Sequence, residues 1–143
     1  MSNTEPRNIP RSIGAVLAAF VAVFVLSLGT DQLFHALEIY PPWGEPMTDT
    51  GLLLLALAYR IVYGIAGGYI VARLAPRNAM RHALIMGGIG FVLSMAGGIA
   101  MWDMGAHWYP IALALSSLPC SWTGATLYLN AASEPDVGAQ TNS

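Results

Sequence analysis

Long apolar runs alternate along the chain with short segments that hold most of its charges and prolines. Four runs, at about 12–37, 51–72, 79–101 and 110–129, approach or exceed the ~20 residues that a helix needs to cross hydrocarbon. The connections between them are short, which makes consecutive helices antiparallel neighbours. The first, from Tyr40 to Pro46, is rich in proline and glycine, which end helices and force turns. The second, Leu74 to Asn78, is tight, and the third, Trp102 to Tyr109, is short and polar. The pattern predicts one all-α domain over residues 1–130, an integral membrane bundle of four transmembrane helices. From Ala131 to Ser143 only Val137 is a large apolar residue, and this tail is expected to be disordered.

The arginines orient the bundle, because basic residues flanking spans are retained on the cytoplasmic side. Arg7 and Arg11 precede the first run, and Arg73, Arg77 and Arg81 surround the second connection. The other two connections carry no arginine and hold Glu38, Glu45, Asp49 and Asp103. Both termini and the tail are therefore expected in the cytoplasm. Tyr40, Trp43, Trp102, Trp108 and Tyr109 then form an outer aromatic belt, where amphipathic rings settle. A cleaved signal peptide is the competing reading, with Ser27-Leu-Gly29 resembling a cleavage site. Against it, the apolar run 13–28 slightly exceeds a normal signal core and its pattern continues through Leu33, Phe34 and Leu37.

Composition agrees with this reading. Of 143 residues, 55% are hydrophobic and only 10% charged, against roughly a quarter charged in soluble domains; mean hydropathy is +0.55. A lone cysteine, Cys120, excludes an intramolecular disulfide and a cysteine-based zinc cluster. A net charge of -2 gives no reason to expect nucleic acid as a partner. The partner implied is the lipid bilayer of the inner (plasma) membrane, and no cofactor is implied.

Arg60 is the only ionised side chain in the second run. It stays charged at any physiological pH. Its insertion costs about 2.5 to 3.5 kcal/mol at a helix centre, which ten surrounding Leu, Ile and Val residues offset. A charge inside a membrane pairs or marks a functional site. Arg60 lies about ten residues, roughly 15 Å, from the first connection, and Asp31 in the first helix lies roughly 14 Å from it. The matching depths predict an Asp31–Arg60 ion pair, bidentate where geometry allows. Such a pair either clamps two helices or serves a path for an anionic solute or protons.

Gly64, Gly67 and Gly68 share the Arg60 face, and the third helix carries Gly90, Ser94 and Gly98 at four-residue spacing beside Gly87, Gly88 and Gly97. Small residues allow close helix approach in lipid. Intrachain packing is the first reading; a homo-oligomer or another membrane protein is the alternative. In the fourth helix Pro119 frees the carbonyl of Leu115; the first reading is a simple kink with serines satisfying the backbone, and the alternative is that this carbonyl or Ser116 accepts a hydrogen bond from Arg60. Cys120 beside it has no activating group and reads as a packing residue.

Asp31, His35 and Glu38 are spaced to share one face of the first helix, with Asp103 and His107 on the same side of the membrane. These types bind metals or relay protons, but no metal-binding motif is present, and polar helix ends facing water explain the pattern more simply. No activated nucleophile, metal triad or phosphate loop appears, so no enzymatic activity is expected. The segments Tyr59 to Pro76, Tyr40 to Gly44 and His107 to Pro110 resemble those of small uncharacterised bacterial four-span membrane proteins. The resemblance implies the architecture and transfers no activity. Small multidrug transporters share the four-helix size, but only Asp31, at a different place, stands in for their membrane glutamate, so that likeness is architectural alone. The expected role is structural or accessory, and the alternative is a small transporter or channel-like protein using Arg60 and Asp31.

Overall fold

The end of α1 and both ends of α2 follow from local signals. In the computed structural model, which describes residues 9–133, α1 spans Ile9–Ala36, α2 Thr50–Leu74, α3 Ala79–Ala100 and α4 Trp108–Ser133. A single 3-10 turn, Trp102–Met104, lies between the last two. Arg7 and residues 134–143 of the tail lie outside the described residues. α1 ends where Glu38 adopts a left-handed conformation (φ 59°), with its N–H donating to the carbonyl of His35 and that of Ile39 to the carbonyl of Phe34. This is the Schellman arrangement, usually closed by glycine. Glu38 consequently lies beyond the helix, which corrects its assignment to the face of Asp31 and His35. Asp49 caps α2 by accepting a hydrogen bond from the N–H of Leu52 at 3.0 Å. Pro76 follows the last turn of α2.

Glycines set the packing. A Cβ on Gly68 would meet the backbone of Ser121, and one on Gly124 would meet backbone atoms of Ile65, Gly68 and Tyr69. The backbones of α2 and α4 therefore touch. Gly64 faces Cys120 in the same register, so the two helices run parallel. Gly67 receives Val23 of α1 and Met86 of α3, Gly87 faces Leu118 and Ser121, and Gly98 abuts Pro110. Gly90 is only in ordinary contact with Ser117, and Gly88 and Gly97 meet nothing. The core is accordingly small-grained, built on Ala15, Ala19, Val71, Ala72, Ala83, Met86 and Ala125. α4 packs extensively on both α2 and α3, while α1 leans on α2 and meets α3 only sparsely.

Large apolar residues point outward over much of the helices' length, among them Phe24 (64% exposed), Val92 (63%), Ile99 (69%) and Leu115 (63%). Such a coat far exceeds the apolar patches of a water-facing monomer and suits a lipid environment. Three helices, α1, α2 and α3, are long and apolar enough to cross a membrane. α4 is also long, at 26 residues, but is not among those three.

Candidate functional site: a polar network beneath an aromatic end

The first and third connections meet at one end of the bundle, where Met47 bridges to Gly105. Just below that end, Arg60 reaches two other helices. Its Nη2 donates to Asp31 Oδ2 of α1 at 2.5 Å, and its Nη1 donates to the Tyr109 hydroxyl of α4. The pair expected between Asp31 and Arg60 is present, but it is not bidentate. The second carboxylate oxygen, Oδ1, accepts from the Tyr59 hydroxyl, which itself accepts from Tyr40 at 3.1 Å. Both oxygens of a carboxylate that is only 12% exposed are thus satisfied, as burial of a charge demands. The guanidinium also lies 5.5 Å from the Tyr59 ring centroid and 5.9 Å from that of Tyr109, within cation-π range.

A neighbouring bond ties α1 to α2 a second time. Thr30 Oγ1 donates to the carbonyl of Leu26 at 2.8 Å, so its contact with Tyr63 at 2.6 Å is one in which the tyrosine donates. Tyr40, in the first connection, is 5% exposed and packs edge-on against Phe34. Burial pushes its phenol above the usual range, so it remains a donor at physiological pH.

Tyr109 takes the place foreseen for Leu115 and Ser116. The parallel register of α2 and α4 puts Arg60 level with Ser116, but the long side chain runs toward the aromatic end, where Tyr109 lies seven residues, about 10 Å, closer to the connections. Ser116 instead donates to the carbonyl of Leu113 at 2.8 Å, and Ser117 does the same at 3.1 Å. The Leu115 side chain faces outward. Tyr59, Tyr40 and Tyr109 were not legible as partners; Tyr40 and Tyr109 had looked like belt residues. The available signal was that a phenol buried in an apolar segment requires a polar neighbour.

Of the remaining polar residues, His35 and His107 line one cleft with Arg60 and Asp31, while Glu38 and Asp103 stand apart from it. His35 lies against Trp43 in a tilted arrangement at 3.9 Å between ring centroids, and His107 stacks on Trp102 at 4.0 Å. Glu38 and Asp103 are exposed. Among the described residues no group of three His, Cys, Asp or Glu side chains is arranged to hold a metal ion. Cys120 is buried against Gly64 and packs the α2–α4 contact. A cleft of about 770 Å3 opens between α1 and α3, roofed by the two connections, with Arg60, Asp31 and Tyr109 in its wall and Ser94 and Gly98 along α3. Comparison with protein-family models, curated proteins and solved structures yields no match.

Proposed function

We propose that this chain is a small polytopic protein of the bacterial plasma membrane with a structural or accessory role, in which Arg60 clamps the bundle. The observation that carries this reading is that one side chain binds two other helices at once, Asp31 of α1 and Tyr109 of α4. α4 is the fourth span: Ser116, Ser117, Thr123 and Thr126 all donate to carbonyls one turn back in their own helix, which lowers the penalty of placing them in lipid. The arginine distribution supports both termini in the cytoplasm and the aromatic end outside. The chain then joins the small bacterial four-span proteins that it resembles, with the bilayer as its partner and no catalytic task. The glycines of α2 are taken up by contacts within the chain, which favours a self-contained bundle over a glycine-mediated oligomer. Charge balance weighs against an anionic solute path, because Asp31 neutralises Arg60 directly.

A double-mutant cycle of Asp31→Leu and Arg60→Met, followed by unfolding in mixed micelles, tests the clamp. Each single change strands a buried charge and should cost about 3–5 kcal/mol, while the matched apolar pair should recover to within about 2 kcal/mol of wild type. Single variants as stable as wild type, or a double variant whose loss equals the sum, would remove the clamp.

A further inference from the structure

The cleft between α1 and α3 is not explained by the clamp. Its volume, about 770 Å3, falls within the ~300–1,000 Å3 typical of small-molecule sites. Phe20 and Phe24 of α1 face Leu93 of α3 across it, and the polar groups gather at the aromatic end.

Three observations mark it as a site. Gly97 lines the cleft, and a Cβ there would meet nothing within 4 Å, whereas a Cβ on the adjacent Gly98 would collide with Pro110. Glycine inside a helix is disfavoured relative to alanine, and Gly97 gains no close helix contact in return; its missing side chain keeps the cleft wide. His35, also in the wall, has a buried Nδ1 with no hydrogen-bond partner, a situation that folding disfavours. Arg60, 24% exposed, uses two bonds for Asp31 and Tyr109, out of the five N–H groups of a guanidinium.

We propose that this cleft binds a single-chain lipid whose uncharged head presents a carbonyl group. The chain lies between α1 and α3, and the head meets Arg60, Tyr109 and His35. Charge selects the head. Asp31 lies 2.5 Å from Arg60 and Glu45 adds a negative charge at the mouth, so a carboxylate or phosphate finds no net positive potential. A neutral carbonyl accepts from a spare guanidinium N–H with no counter-ion needed. One acyl chain with a small head occupies the space that Phe20, Phe24 and Leu93 line. Depth agrees as well: Asp31 lies five residues, ~7.5 Å, from the end of α1, and Tyr109 is the second residue of α4. The head therefore sits near the membrane interface.

The test uses the full chain in nanodiscs and a monoacylglycerol bearing a mid-chain diazirine, with cross-linked peptides mapped by mass spectrometry. Saturable labelling is expected on residues 20–28 and 93–97, displaced by excess monoolein and not by oleate or phosphatidylglycerol. Gly97→Leu projects into open space and should lower labelling about tenfold, the equivalent of 1.4 kcal/mol, with the unfolding midpoint not lowered. Ser94→Leu on the same wall is the second blocking variant, should the first unfold. Neither touches Asp31 or Arg60, so the result is separate from that of the clamp. Labelling spread non-saturably over the outward faces, or undiminished in both folded variants, overturns the site. Equal displacement by oleate overturns the uncharged head.

Discussion

Gly124→Ala and Gly97→Ala are the same substitution in helix interiors, and the structure assigns them opposite signs. At Gly97 the new methyl group meets nothing, so only backbone terms act. Alanine is favoured over glycine by about 0.8–1.0 kcal/mol in a helix interior, and the variant should gain up to about that much. At Gly124 the methyl group would overlap the carbonyl oxygen of Ile65 and lie 2.6 Å from the Tyr69 nitrogen and 2.9 Å from the Gly68 carbonyl carbon. All three are backbone atoms, so no rotamer change relieves them and α2 and α4 must separate. Overpacking of this kind costs typically 1–3 kcal/mol, occasionally more, and rigid neighbours place Gly124 at the upper end. After the propensity gain, a net loss of about 2 kcal/mol or more remains. Equilibrium unfolding by SDS titration in mixed micelles measures both variants against wild type. The reasoning fails if the two shift in the same direction, or if Gly124→Ala lies within about 0.5 kcal/mol of wild type, the range of an ordinary surface substitution.

Two further outcomes follow from the same contacts. Glu38 holds a left-handed conformation that costs a residue with a Cβ about 1–2 kcal/mol, so Glu38→Gly should raise the unfolding free energy by roughly 1 kcal/mol in the same titration; destabilisation would show that the glutamate side chain has its own partner. Tyr59→Phe removes a donor to a charged carboxylate and should cost about 1.5–3 kcal/mol. Tyr63→Phe loses only a neutral bond to Thr30 and should cost about 0.5–1.5 kcal/mol. Reversal of that order would refute the assignment of Asp31 as the carboxylate on which the network centres.

The sequence by itself determined the helices and the depth of Arg60, because both are sums along the chain. Hydropathy accumulates residue by residue, and each helical residue adds 1.5 Å, so Asp31 and Arg60 were paired by counting. But α1 ends at Ala36, not Tyr40, which leaves Asp31 about 7.5 Å and Arg60 about 15 Å from their helix ends, and the long arginine side chain spans the difference. The all-helical bundle and the ion pair were legible on that ground. What counting could not supply was rotation about each helix axis and the course of a long side chain. Arg60 is level with Ser116, yet its guanidinium ends on Tyr109, because a flexible chain of methylenes can travel along the helix to a phenol nearer the interface. Gly97 and Gly98 are identical as letters, but they point about 100° apart on a helix of 3.6 residues per turn. One therefore meets Pro110 and the other an open cleft. Gly124 lay outside the expected stripe and proved one of the closest backbone contacts, since closeness depends on which face a partner helix presents. Tertiary structure decided which small residues join helices, which polar groups satisfy the buried charge and where the bundle stays open, because each of these depends on two surfaces meeting.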